Sequence, residues 1–531
     1  MIFFISILLT SFIGFLICYR IRENLALVER IFISIFLGWG YFSNLILFFN
    51  TNFPEIDLNE KVLFALIVLS LCFSLILFII IKRRLPRVSF KKISAFAAKL
   101  KLNKIHHGFH NLKPKYYLII PILFLALILL SITINTFWYK MDAVDPIFQW
   151  DQRGELIFLE KSVSGARNHL FGYYPLHTAS LHSWAYFFNF NNARILYLIS
   201  LIGLLAIIIQ NIYSYSKSMY SALVFSAVVV SFQVYYTTTN YAEGIGNVYF
   251  FLGALYALKY LKYKNIAFIL LGSFFMTMHA NTRSEGILYW GILLFFIILI
   301  SIFRKTFRAK HILLYILPLF LFYFIPKANF TQLQGGSNLV MHTKIILKCV
   351  YDIFSSWGEI YNNELLKSQY YANSLCCAIL SFFAFWDSLF FDPQKVHIYN
   401  LLRVFLNIMK QFGLNLWILL ILIMGRGIKN RETIIGFLTL IIFPLACFIF
   451  LYNYLQIAFY YDTNVIDHVI TSTFKRYSSP IFICLIFFLS TNKFIKEIFT
   501  RIEQKKVLAY SLNLPFLYIL LKQTWGMVLI R

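Results

Sequence analysis

Asp142, Asp145, Asp151 and Glu155 fall within fourteen residues of one stretch, YKMDAVDPIFQWDQRGE (139–155), in a 531-residue chain that holds only 22 Asp and Glu. Carboxylates this close together can take a proton from a hydroxyl or hold a hard divalent cation. Three further stretches combine polar and charged residues. TTTNYAEGIGNVYFF (237–251) sets Glu243 beside Gly244 and Gly246, and MHANTRSEGILYW (278–290) carries Arg283 and Glu285. YYDTNVIDHVITSTFKRYSSPIF (460–482) carries Asp462, Asp467, His468, Lys475 and Arg476. Arginine suits a phosphate because its forked donors match the oxygens in pairs. Taken singly, each stretch also has a plainer reading. The first continues into LFGYYPLHTASLHSWAYFF (170–188), which an ordinary interfacial aromatic belt would explain. Glu243 fits a tight polar turn, and Arg283 with Glu285 a simple ion pair.

The elements that must position these residues are membrane helices. The chain is 60% hydrophobic and 13% charged, against about 45–50% and 25% for soluble domains. Apolar runs near 2–18, 30–49, 62–81, 117–138, 194–212, 219–236, 247–261, 265–281, 286–303, 311–326, 402–424, 434–454, 477–490 and 507–528 give an estimate of about thirteen spans, the last being weak. The runs are continuous rather than alternating, which excludes a strand barrel. The fold expected is all-α, a single polytopic membrane domain over 1–531 with no separate soluble domain. A first large outer loop is expected at 139–193 and a second outer segment at 327–400, and the loops are expected to bear short amphipathic helices lying on the membrane surface. The first twenty residues lack a basic leader and a small-residue cleavage site, and read as a span. Seven cysteines show no metal spacing, and the Cys376–Cys377 pair reads as packing.

Orientation follows from basic loops. Residues 82–115 hold eleven Lys or Arg and no acid, which makes them cytoplasmic. Counting outward from there, RKTFRAK (304–310), GRGIKNR (425–431) and NKFIKEIFTRIEQKK (492–506) fall on the same side. The net charge of +26 is thereby read as loop charge facing anionic lipid, and not as a nucleic-acid footprint. His106, His107 and His110 share that basic loop and read as part of it rather than as a metal site. The acids, which were not used to orient the chain, segregate to the other side. Only Glu23, Glu29, Glu432, Glu497 and Glu503 fall inside, and the remaining 17 of 22 fall outside or at the outer surface. Some of this is simple avoidance of positive charge. The sharpness of the separation also suits an acidic site on the outer face, periplasmic in a Gram-negative cell, with the protein in a bacterial inner (plasma) membrane.

The order of these stretches resembles a family. A span is followed by D-A-V-x-x-x-x-x-W (Asp142 to Trp150), then YYPLHTASLHSW (173–184), then NYAEGIGNVYFF, NTRSEG and HVITSTFKRYSSP. This is similar to the polytopic GT-C glycosyltransferases of the protein-mannosyltransferase and aminoarabinose-transferase type, well over residues 120–300 and more loosely around 460–490. Glu243 stands where those enzymes commonly have Asp, Arg283-Ser284 replaces a Lys-Asn, and no Pro follows the Y-A-E motif. The resemblance implies inverting transfer of a sugar from a polyprenyl-phosphate donor on the outer leaflet to a glycan, lipid or protein acceptor. It casts Asp142 as general base or cation ligand, with Asp145 as the next candidate. It implies that Glu243 and Glu285 line the same pocket, and that Arg476, Arg283 and His468 bind the donor phosphate. Members of the family differ over a divalent cation (Mg or Mn), and the sequence leaves that open.

Other functions fit the same composition. An O-antigen-type polymerase also handles lipid-linked sugars, but would favour Arg-rich outer loops over the carboxylate-rich one here. A lipid-linked sugar transporter or flippase would carry charges or Gly/Pro breaks at mid-span and internal repeats, whereas the span interiors here are nearly free of charge. A structural assembly protein would leave the outer carboxylates without a task. The 327–400 segment reads as a cover over the cleft or as an acceptor selector.

Overall fold

The structure is a computed structural model. It describes residues 2–18, 25–84, 116–138, 147–167, 175–303 except 264 and 284–285, 309–326 and 493–505, with single residues or short runs between 403 and 513. Among these every regular element is helical. In chain order the helices are α1 (Ile2–Cys18), α2 (Leu27–Asn52), α3 (Glu60–Arg84), α4 (Ile119–Trp138), α5 (Gln152–Leu159), α6 (His177–Phe187) and α7 (Ile195–Ser216). They continue with α8 (Met219–Thr238), α9 (Ala242–Tyr263), α10 (Ile266–Thr282), α11 (Gly286–Phe303), α12 (Ala309–Leu319) and α13 (Lys493–Gln504). Among the described residues four segments are long and apolar enough to cross a membrane: Leu27–Asn52, Glu60–Ile80, Tyr116–Trp138 and Ile195–Ser216. Shorter apolar helices cover Ile2–Cys18, Met219–Val230, Ile266–Thr282, Gly286–Ile302 and Lys310–Phe324. The expected span at 434–454, most of that at 402–424 and the whole 327–400 segment lie outside the described residues.

Burial ranks the helices. α3 and α4 present large apolar side chains outward, among them Leu69, Phe73, Ile76, Ile122 and Leu130, the surface that lipid rather than water would cover. α10 is buried almost throughout, and the neighbouring α9 shows the same at most of its described side chains. With so little hydrophobic drive between helices in lipid, close backbone approach through small residues has to supply the packing. α1 crosses α2 in this way. A Cβ on Gly14 would lie 2.0 Å from the Ser34 carbonyl oxygen, and one on Gly38 would lie 2.2 Å from that of Thr10.

Polar contacts gather at the helix ends and sort into two sets. At one end, Asn50 Oδ1 accepts from Ser162 Oγ at 3.0 Å and from the Val163 amide at 2.7 Å. Beside them Arg194 donates to Asn135 and, at 3.1 Å, to the Thr238 carbonyl. These are the last residues of α2, α4 and α8 and the residue before α7. At the opposite end Glu29 accepts from Tyr256 at 2.8 Å and from Lys259. There also Tyr260 meets His311 at 2.7 Å, and Glu503 of α13 accepts from Ser218 Oγ at 2.7 Å and from the Tyr220 amide at 3.3 Å. Glu503 thus serves the first turn of α8 alongside Ser218, whose hydroxyl accepts from the Ser221 amide at 3.0 Å. These contacts pair the ends of α2, α4, α7, α8 and α9 as antiparallel neighbours would. The first end, which carries the 147–193 region, is called the loop end below.

One expectation is corrected. The loop helix α6 is not an amphipathic surface helix. Every residue from His177 to Ala185 is buried, and only Tyr186 is part-exposed. Its histidines find partners inward: His177 Nδ1 meets Ser43 Oγ at 2.6 Å and its Nε2 meets Tyr249 Oη at 3.2 Å, tying α6 to α2 and α9. A histidine with two buried partners belongs inside the fold, and burial alone removes the amphipathic pattern. α5 is half-buried, with Arg153, Gly154 and Ile157 inward.

The α1–α2 crossing leaves no room for a side chain, so Gly38→Leu should lower stability by about 3 kcal/mol or more through overpacking. Thermal unfolding in detergent checks this; an unchanged transition would show that the two helices do not touch at Gly38.

Candidate functional site

The polar helix ends meet where α9 starts and α10 finishes, at the loop end. α9 starts at Ala242, two residues after Asn240, whose φ of 58° is left-handed. The turn is closed by the Tyr241 amide on the Tyr236 carbonyl at 3.1 Å and the Gly244 amide on the Tyr241 carbonyl at 2.8 Å. This places the Glu243 carboxylate in the first turn, where the helix dipole favours an anion. Arg283 ends α10 in extended conformation, with its amide on the His279 carbonyl at 3.0 Å.

Glu243, only 2% exposed, receives two guanidinium groups on the same oxygen. Arg283 Nη1 pairs with Oε1, and Arg476 Nε donates to Oε1 at 2.7 Å. The Arg476 guanidinium also lies over the Tyr241 ring, 4.3 Å from its centroid. One turn further along α9, Asn247 and Ser479 exchange hydrogen bonds of 2.9 and 3.0 Å, which fixes the segment carrying Arg476 against α9. Glu243 Oε2 is buried without a hydrogen-bond partner among the described residues. Two cations on one carboxylate leave the triad with a net charge of +1. His279 packs behind it: Nδ1 meets the Gly246 carbonyl at 2.9 Å, and Nε2 is buried without a hydrogen-bond partner among the described residues.

A second network joins the first loop to this region. Asp151 Oδ1 accepts from Tyr186 and pairs with His182 Nδ1 at 2.8 Å, while His182 Nε2 meets Tyr197 Oη at 3.0 Å. Tyr197 in turn lies against Gly244, where an added Cβ would stand 2.9 Å from its ring. Burial works against ionisation of Asp151. The His182 hydrogen bond and charge, the Tyr186 hydrogen bond and the Arg194 guanidinium outweigh it and hold the carboxyl below the usual range. Burial and the Asp151 charge push the Tyr186 phenol well up. Burial alone holds the His177 imidazole down at about 3.

Of the residues predicted from sequence, Glu243, Arg283 and Arg476 are brought together from positions up to 233 apart in the chain. Asp142, Asp145, Glu285 and His468 lie outside the described residues. Arg283 pairs with Glu243, so the sequence alternative of an Arg283–Glu285 pair is not needed to neutralise it. The Asp151–His182–Tyr197 chain was not foreseen as a network. Its signal was available in two histidines on one apolar segment, five residues apart, too far round a helix to share a partner. Among the described residues no three His, Cys, Asp or Glu side chains converge to hold a metal ion.

Removing the shared carboxylate leaves two buried cations facing each other. Glu243→Gln should therefore cost about 3–5 kcal/mol, more than Arg476→Gln, which leaves Arg283 paired; equal melting of Glu243→Gln and wild type in detergent would contradict the triad. His177 supplies a pH test. Its folded pKa of about 3 lies below the value of 6.5 expected when unfolded, so the unfolded chain binds the proton first. Stability is then full above about pH 6.5 and falls as pH drops toward 3, by up to about 1.4 kcal/mol per unit. His177→Gln should flatten that slope between pH 6 and 4, and an equally steep slope in the variant would assign it elsewhere. Comparison with family models, curated proteins and solved structures finds no match to this chain.

Proposed function

We propose that this protein is a membrane glycosyltransferase of GT-C type, moving a sugar from a polyprenyl-phosphate donor to an acceptor at the outer face of a bacterial inner membrane. The observation that carries the reading is the buried Glu243–Arg283–Arg476 triad, a net positive group at the loop end of membrane-embedded helices. A lipid phosphate is an anion that arrives at this depth, and paired guanidiniums are suited to it. Alternation from the basic 82–115 segment puts the loop end outside.

On this reading the acceptor hydroxyl attacks the anomeric carbon from the face opposite the phosphate. The carbon–oxygen bond to phosphate breaks, and the phosphate leaves with the electron pair while configuration inverts. Arg283 and Arg476 stabilise the charge that develops on the leaving oxygens. Asp142, with Asp145 beside it, takes the proton released by the acceptor. Glu243 holds the two guanidiniums at one point so that little reorganisation is needed when the phosphate arrives. A divalent cation, if one takes part, would draw on carboxylates of the Asp142 region, and no step here depends on it.

Asp142→Asn should abolish one surface-glycan modification with the protein still folded and present, because removal of a general base costs about 10²–10⁴ in rate. Full modification in Asp142→Asn, Asp145→Asn and the double variant would remove the base assignment. A periplasm-specific reporter fused at residue 165 should be active, and a cytoplasmic signal there would reverse the orientation.

A further inference from the structure

Asp151 stands out among the titratable groups that the mechanism leaves unused. It sits on the first loop, on the turn Ile147–Asp151 that leads into α5. Both hydrogen bonds that the described residues give it end on one oxygen, Oδ1. Three rings from two helices are committed to that atom: Tyr186 and His182 of α6 directly, and Tyr197 of α7 through His182 Nε2. His182 and Tyr197 are fully buried, yet the Asp151 side chain stays 27% exposed. The turn itself is pinned. Gly154 presses α5 onto α6, where an added Cβ would lie 2.6 Å from that of His182. A carboxylate serving only as an internal anchor would gain from full burial with both oxygens bonded. Here one oxygen takes both hydrogen bonds that the described residues supply, while the side chain keeps an exposed fraction and its neighbours hold it charged.

We propose that Asp151 is a substrate-contacting residue whose Oδ2 accepts hydroxyl hydrogen bonds from the sugar of the lipid-linked donor, with His182 and Tyr197 as positioning residues. This rests on the glycosyl-transfer reading and adds to it the site that takes the sugar. The chemistry suits a polyol, because an ionised carboxylate held rigid at one oxygen accepts from hydroxyls strongly and loses little entropy in doing so. The connection to the triad is physical: Tyr197, which ends the Asp151 chain, packs on Gly244 beside Glu243. A donor with its phosphate on Arg283 and Arg476 would thus have a sugar-binding carboxylate braced against the same turn.

The test uses purified full-length protein in lipid nanodiscs, titrated with bare polyprenyl phosphate and with polyprenyl phosphate carrying a hexose or a pentose, with binding read by native mass spectrometry. Wild type should prefer one glycosylated lipid over the bare one by about tenfold, the worth of a charge-assisted hydrogen bond. Asp151→Asn keeps an acceptor at the Oδ1 position, so it should fold, yet lose most of that preference with bare-lipid binding unchanged. Asp151→Ala should lose all of it, and Arg476→Gln should weaken both lipids alike. An unchanged preference in both Asp151 variants, or no preference in wild type for any sugar, with bare-lipid binding intact, would overturn the assignment of Asp151 alone. Failure of wild type to bind the bare lipid phosphate would instead overturn the underlying reading, and this one with it.

Discussion

A buried carboxylate shared by two guanidiniums, one of which keeps a partly exposed edge, is the interaction on which the rest of this structure depends. An isolated buried ion is costly by several kcal/mol, so Glu243, Arg283 and Arg476 are tolerable only together. They come from the start of α9, the end of α10 and a segment more than 190 residues later, held to α9 by the Asn247–Ser479 exchange. The charge requirement therefore fixes three chain segments at one point. It also explains why α9 and α10 are among the most deeply enclosed helices of the fold.

The same cost governs the whole molecule. Charged side chains are cheapest at the end of a span or beside a partner, and the ion pairs divide accordingly between the two ends of the bundle. Glu29 with Lys259 closes one end of α9 while Glu243 with its arginines closes the other. Between them the helices pack on backbone contacts at glycines, which explains why Gly14 and Gly38 face each other's chain with no side chain between. The loop helix α6 obeys the rule in a different way. It takes two histidines into the interior because Ser43, Tyr249, Asp151 and Tyr197 are waiting for them.

The helical class was legible in the sequence: long continuous apolar runs mark helices, and four of them are long and apolar enough among the described residues to cross a membrane. The contacts of Asn50, Arg194, Glu29 and Ser218 then gather at helix ends. The site was legible in part. Glu243, Arg283 and Arg476 could be singled out because charge beside a span is expensive and so needs a purpose. Their mutual pairing could not be read, since it depends on how a distant segment docks. The Asp151–His182–Tyr197 chain was also hidden: a histidine in an aromatic stretch looks the same whether it lies at the lipid surface or is buried with partners. Composition reports that a segment is apolar with polar insertions, and only packing decides which way those insertions face.

The proposal that a lipid phosphate is held between Arg283 and Arg476 can be examined directly by electron cryomicroscopy of the protein in nanodiscs with added polyprenyl phosphate. The account predicts phosphate density within hydrogen-bonding distance of both guanidiniums, with Glu243 still bound between them and the lipid tail running down the bundle from the loop end. Phosphate density elsewhere, or Arg283 and Arg476 found apart from Glu243, would contradict it.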